Sequence, residues 1–402
     1  VADLFWPGDH RARDVLSDEA FLAAMLDVEQ AWLAALVAAD VAPVRARADL
    51  GGLVGPGDLP GLAERAEAGG NPVLPLLALL RSRLGAETDA ARWLHRGLTS
   101  QDVVDTALVL LARAALDDVA THLGAQVTTL VALVEEHRTT AMTARTLTQH
   151  AVPTTFGLVA ACWLGGVLDA HDEVAALGGR ALPAQLGGAA GTLAALGELL
   201  APGHDPLALT AEVATSLGLA PAVPWHGVRS PLTRVGDAAV RCTDAWGHVA
   251  RDVLTLTRPE IGELSEGAGG GSSTMPHKAN PVLAVLVRRA ALTTPQLAAT
   301  LHLAAADQVD QRADGAWHAE WATLRDLLRR TCTAASQTAD LLAGLRVHPA
   351  RMAATLEAAG SDVRAEQRSM AALTGRDPRP TYLGATHALV DAVLHRAREV
   401  TP

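Results

Sequence analysis

The densest chemistry in this 402-residue chain lies between Gly262 and Pro281. Gly267, Gly269, Gly270 and Gly271 make a loop with little steric constraint, able to turn backbone N–H groups toward a ligand. Behind them come two hydroxyls, Ser272 and Ser273, an ammonium, Lys278, and the side-chain amide of Asn280, which can bond a carboxylate. Lys278 is the only lysine among 33 basic residues, and Asn280 is one of two asparagines, the other being Asn71. An 11-residue window has roughly a three-in-a-hundred chance of holding the sole lysine of a chain this long. A flexible linker with a polar helix cap is the plain alternative, and the placement of that lysine argues against it. Arginine serves as the cation everywhere else, so a compact point charge on a flexible stem is specifically required here.

The elements that must position this loop read as helices. Ser17-Asp18-Glu19 has the residue types of a helix start, and Phe21, Met25, Val28, Trp32 and Leu36 then follow at steps of three and four. Similar periodicity predicts long helices over about 102–137, 154–177, 233–256, 281–305 and 317–345, and clear alternating runs that would mark strands are missing. The expected fold is therefore all-α, with a central bundle of long helices. Breaks in composition suggest three domains: 1–101, a bundle over 102–345, and a small C-terminal domain over 346–402. Connections at 51–70, 183–192 and 221–231 hold the remaining unusual residues, including Trp225, His226 and Arg229. The glycines at 187, 188 and 191 superficially suggest a phosphate loop, but no Gly-Lys-Ser/Thr follows, which discounts nucleotide hydrolysis.

Composition narrows the partners. With 33 basic against 44 acidic residues, a net charge of -11 and no basic cluster, nucleic-acid binding is not expected. Apolar runs such as 103–116 are interrupted by charge before the ~20 residues that a bilayer span needs. The opening Val1-Ala2-Asp3-Leu4-Phe5 has no basic and apolar leader pattern, so a cytoplasmic protein is expected. Cys162, Cys242 and Cys332, odd in number and widely spaced, read as three buried structural thiols rather than a disulfide framework or zinc site. Trp163 and Trp246 read as core.

Gly271-Ser272-Ser273-Thr274-Met275-Pro276-His277-Lys278-Ala279-Asn280-Pro281 resembles the signature loop of the fumarase/aspartase superfamily, Gly-Ser-Ser-x-Met-Pro-x-Lys-x-Asn-Pro, with every fixed position filled. His95-Arg96-Gly97-Leu98-Thr99-Ser100-Gln101-Asp102 resembles the first substrate-binding region of that family, and Arg145-Thr146-Leu147-Thr148-Gln149 its second. The resemblance implies a three-domain all-α fold and a homotetramer whose active sites are shared between subunits. It also implies cleavage or formation of a C–N or C–O bond beta to a carboxylate, on a small di- or tricarboxylate, with no metal or redox cofactor. Ser272 is then the expected general base, its alkoxide stabilised by loop N–H groups and nearby positive charge. Thr99, Ser100, Thr146, Gln149, Lys278, Asn280 and Arg312 are the expected substrate-binding groups, with His95, His150 and Ser273 as further candidates. For His95, His150 and His318 a helix-end or core role is an equal reading. Arg312 and Arg229 could each clamp a further carboxylate or sit in an ordinary salt bridge, and Asn71 could face the site or cap a helix.

One departure is informative. Fumarases, argininosuccinate lyases and adenylosuccinate lyases generally carry a histidine where this chain has Leu147, and a leucine cannot transfer a proton. The branch this chain resembles best is 3-carboxy-cis,cis-muconate cycloisomerase, on Thr99–Ala107, Gln149–Pro153, Gln185–Thr192 and Asp314–Trp321. There a substrate carboxylate adds to a double bond to close a lactone, and seen in reverse a carboxylate leaves without needing a proton. The same argument admits a biosynthetic lyase that eliminates another stable anion, such as nitrite from nitrosuccinate, with fumarate as product. A catalytically silent helical scaffold is the alternative from another class, and the retained single lysine speaks against it.

Overall fold

The computed structural model describes residues 3–178, 182–267, 270–271, 274–275 and 278–400. In chain order the helices and strands are α1 (Asp18–Ala38), α2 (Leu59–Gly69), α3 (Val73–Leu84), α4 (Asp89–Trp93), α5 (Ser100–Glu136), β1 (Ala141–Thr146), β2 (Gln149–Thr155), α6 (Phe156–Leu177), α7 (Ala194–Leu199), α8 (Pro206–Ser216), α9 (Ser230–Leu256), β3 (Leu264–Glu266), α10 (Val282–Ala306), α11 (Ala316–Ala343), β4 (Leu345–Val347), α12 (Pro349–Ala358), α13 (Ala365–Thr374) and α14 (Thr386–Val400). The five long helices expected from periodicity are α5, α6, α9, α10 and α11, each within a few residues of its expected ends. At 37 residues, α5 is about 55 Å long.

The chain forms two compact units. The first comprises Val1–Asp118, Val174–Ala239 and Pro295–Cys332; the second comprises Val119–Glu173, Val240–Thr294 and Thr333–Pro402. Each long helix contributes residues to both.

In the first unit, α1 begins where Ser17 accepts a hydrogen bond from the Ala20 N–H, with Asp18 and Glu19 placed favourably against the helix dipole. Met25, Val28, Trp32 and Leu36 are buried along one face and Phe21 is half-buried. Though α1 is long and apolar enough to cross a membrane, its apolar stripe packs inside this core. In the second unit, Trp163 and Trp246 are buried and each indole N–H finds a partner. Trp163 donates to Asp252 at 2.8 Å, and Trp246 donates to the Gln126 amide oxygen at 2.7 Å. The Gln126 amide in turn donates to the Ala335 carbonyl. Gly247 lets α9 approach α10 closely, since a Cβ there would lie 2.6 Å from the Ala291 methyl.

Two sequence expectations are corrected. Strands are present: β1 and β2 form an antiparallel hairpin, and β3 pairs antiparallel with β4. The β1 sequence, Ala-Met-Thr-Ala-Arg-Thr, buries only Met142 and Thr143, and a register shift falls between Thr143 and Arg145, so no apolar alternation marks it. Of the three free thiols, Cys242 and Cys332 are buried, but Cys162 lies on the exposed face of α6 beside the inward-facing Trp163.

Candidate active site

In the first unit, candidate residues gather around the start of α5. Thr99 donates its backbone N–H to Asp102 at 2.9 Å, and the fully buried Asp102 also accepts from the Gly187 and Gly188 N–H groups at 2.8 and 2.9 Å and from the Gln185 amide at 3.1 Å. The glycines that superficially suggested a phosphate loop thus wrap a carboxylate of the protein itself. The fit is tight: a Cβ on Gly187 would sit 2.5 Å from the His226 ring, and Gly188 has φ +69°.

Arg312 joins this constellation. Its guanidinium donates to the Thr99 hydroxyl at 2.5 Å and to the Gln101 amide oxygen at 3.2 Å, and it lies over the Trp317 ring at 5.5 Å. Ser100 is buried in the first turn of α5. His95 adopts a left-handed φ of +65°, and its Nδ1 meets the buried Glu29 carboxylate at 2.6 Å, so it is tied into the fold.

Three secondary candidates resolve to structural roles. Arg229 is fully buried and bonds Asp105 through both terminal nitrogens (2.7 and 3.0 Å) and Glu320 through Nε and Nη2 (as close as 2.6 Å). Burial alone would lower the Arg229 pKa, but the two carboxylates hold it above its ordinary value. Burial pushes the Glu320 carboxyl up despite its bond to Arg229. Asn71 accepts from the Val73 N–H and donates to the Gly69 carbonyl, closing the turn before α3. His318 bridges the carbonyls of Asp314 and Gly70.

Other candidate residues lie in the second unit. Thr146 and Gln149 form the last pair of the β1–β2 hairpin, and the two turn residues, Leu147 and Thr148, have φ of +49° and +71°. Positive φ at both central positions is what a tight two-residue hairpin demands, and Asn-Gly is its usual answer. A leucine and a β-branched threonine there store strain. Leu147 is 95% exposed at the tip.

One residue pair from its turn, the hairpin is anchored by a two-pronged salt bridge, Arg145 to the buried Glu263, at 2.8 and 2.9 Å. His150, across from Arg145, is exposed and borders a cleft of about 890 Å³ that Thr148, Arg251, Arg258 and Arg351 also line.

Glu263 leads into β3 and the glycine loop. Glu266 accepts the N–H groups of Leu283 and Ala284 at the start of α10, while burial raises its pKa above the ordinary 4.5. Gly267 passes so close to Gly344 that a Cβ would lie 2.4 Å from its carbonyl oxygen. Gly270 and Asn280 exchange backbone hydrogen bonds at 2.8 and 2.9 Å, closing the loop at its neck. Beyond that neck Lys278 is exposed, its N–H bonded to the Met275 carbonyl. Ser272 and Ser273 lie outside the described residues.

The fold therefore brings Thr99, Ser100 and Arg312 together in the first unit, and pairs Thr146 with Gln149 in the second, where Lys278 and Asn280 end the loop. Sequence reasoning assigned no role to Asp102, Asp105 or Glu320. A signal was present: Asp102 and Asp105 enter an apolar run, where buried carboxylates require partners.

A mostly helical chain with this strained hairpin and glycine loop belongs to a defined class. A model of a lyase family matches residues 72–293, more than half of the chain. The chain belongs to that family, within the fumarase/aspartase superfamily, and is an enzyme. It is 42% identical over 402 residues to a nitrosuccinate lyase of Streptomyces davaonensis, covering 93% of this chain and 84% of that one. It is 39% identical over 368 residues to the 3-carboxy-cis,cis-muconate cycloisomerase of Bradyrhizobium diazoefficiens, covering 88% and 78%. Among solved structures, the 3-carboxy-cis,cis-muconate lactonizing enzyme of Pseudomonas putida superposes with a TM-score of 0.86 at 30% identity, over 97% of both chains.

Proposed function

We propose that this enzyme is a cofactor-independent 3-carboxy-cis,cis-muconate cycloisomerase that uses Ser272 as its proton carrier. The observation that carries this reading is Leu147, held at the exposed tip of the hairpin where related lyases place a proton-transferring histidine. In lactone formation a substrate carboxylate oxygen bonds to one alkene carbon, and the carbon alpha to a second carboxylate takes the Ser272 proton. In reverse, the Ser272 alkoxide removes that proton, the C–O bond breaks, and the carboxylate departs as a stable anion that needs no acid. Negative charge accumulates on the substrate carboxylate at the deprotonated carbon, so fixed cations and N–H donors lower the barrier. Lys278, Asn280, Thr146, Gln149, Thr99, Ser100 and Arg312 are the groups that supply these.

The working form is a homotetramer with shared active sites. Four exposed apolar residues along α10 support association through the long helices: Val282, Val285, Leu292 and Leu303, the last 72% exposed. A second reading, elimination of nitrite from nitrosuccinate to give fumarate, is favoured by the 42% identity to a nitrosuccinate lyase. It uses the same base and the same lack of acid, because nitrite also leaves as a stable anion.

A substrate panel followed by ultraviolet absorbance and product analysis decides between them. Lactone from 3-carboxy-cis,cis-muconate is expected. Fumarate and nitrite from nitrosuccinate, without lactone, overturns the first reading in favour of the second.

A further inference from the structure

Two arginines of the first unit stand beside the same carboxylate network in different electrostatic states. Arg229 is saturated by Asp105 and Glu320. Arg312 bonds only neutral groups, the Thr99 hydroxyl and the Gln101 amide, over the Trp317 ring, and no carboxylate among the described residues pairs with it. Two of its five N–H donors are used in those bonds, so three remain for a ligand.

The three carboxylates of this network are committed elsewhere. Asp102 is held by backbone N–H groups and the Gln185 amide, and Glu320 by Arg229. Asp105 has a double commitment. Arg229 neutralises it from one side, while it accepts from the Trp317 indole N–H at 2.8 Å and from the Gln101 amide at 3.1 Å. Trp317 and Gln101 are two of the three groups on which Arg312 rests. Because a primary amide presents oxygen and NH₂ on opposite sides, the bond from Gln101 to Asp105 aims its oxygen at Arg312.

We propose that Asp105, held by Arg229, is a positioning residue: it orients Gln101 and Trp317 so that Arg312 meets a substrate carboxylate with its charge unspent. This rests on the reading of Arg312 as a carboxylate-binding group. Asp105 touches no substrate itself, and Arg229 keeps it from capturing Arg312.

The test is a double-mutant cycle on the intact protein, reading the affinity for tricarballylate, an unreactive tricarboxylate, by calorimetry, with KM and kcat on the turned-over substrate alongside. Arg312→Ala is expected to weaken tricarballylate binding at least about tenfold. Asp105→Asn is expected to approach that loss, raising KM while kcat stays within about threefold, and to add little once Arg312 is already Ala. Trp317→Phe, which keeps the ring but removes the N–H to Asp105, is expected to weaken binding by about threefold. It keeps the proposal testable if Asp105→Asn does not fold.

Full tricarballylate affinity in Arg312→Ala, or none in the wild type, overturns the reading of Arg312 itself. If Arg312→Ala weakens binding but Asp105→Asn and Trp317→Phe do not, or if Asp105→Asn costs the same with Arg312 absent, only the positioning role is overturned.

Discussion

Thr99 and Arg312 in the first unit, and Leu147 and Lys278 in the second, are held in opposite ways. The first pair is set by a saturated polar network: Asp102 pins Thr99 and two glycines, and Asp105 fixes the two residues under Arg312. Here each buried charge has a partner, and rigidity comes from hydrogen bonds within the unit. In the second unit the anchors stop short of the tips, at Arg145–Glu263 one pair before the hairpin turn and at the Gly270–Asn280 neck and Glu266 below the loop. What stands beyond those anchors is exposed: Thr146, Leu147, Gln149 and Lys278. One group of candidate residues is preorganised by the chain's own packing, and the other is presented on strained or glycine-rich supports.

That contrast can be broken in several places. The largest expected effect is in the presented group: Ser272→Ala lowers kcat by about 10³-fold or more while folding and assembly persist. Full activity in that variant removes Ser272 as the base. Next is the preorganised group. Asp102→Ala strips the partner from three backbone N–H groups and an amide, with an expected loss of about 3–5 kcal/mol in urea unfolding. A loss below ~1 kcal/mol there shows that the network does not hold the α5 start.

A much smaller change of opposite sign is expected at the hairpin tip. Leu147→Asn relieves a left-handed leucine that packs on little within the chain, so stability rises by about 0.5–1 kcal/mol while substrate affinity falls. A destabilised variant means that the tip is supported by packing after all.

The smallest effect is in pH dependence, where two carboxylates differ in sign. In the first unit the bond from Arg83, then that from the Gly55 N–H, holds Asp58 down to about 2 against an ordinary 3.8. Its contribution to stability is present above pH 3.8 and is lost as pH falls through about 2. In the second unit burial raises Glu266 above 4.5, so its contribution is full below pH 4.5 and is lost as pH rises through the folded value. Arg83→Ala is expected to flatten the acid-side slope and Glu266→Gln the slope above pH 4.5. Slopes of the same sign contradict the assignment.

The long helices were legible because apolar residues recur at three and four over whole segments, as along Met25, Val28, Trp32 and Leu36. The hairpin was not, since a short Thr-rich strand with one buried apolar side chain carries no alternating signal. The three regions that resemble the family's were legible as local motifs. The network behind them was not, because its partners are brought in by tertiary folding: Arg229 meets Asp105 across 124 residues, and Trp317 meets it across 212. Leu147 was visible as a missing acid, but its strain and exposure follow from the turn that only the fold reveals.

We propose that the residues set by the Asp102 and Asp105 network in one subunit work with hairpin and loop residues of other subunits. Mixing two inactive variants, Thr99→Ala/Arg312→Ala and Ser272→Ala, after dissociation and reassembly tests it most directly. If sites are shared between subunits, some mixed tetramers hold sites with every group intact, and turnover returns well above that of either parent. If each site lies within one chain, every site lacks one group, and the mixture stays as inactive as its parents.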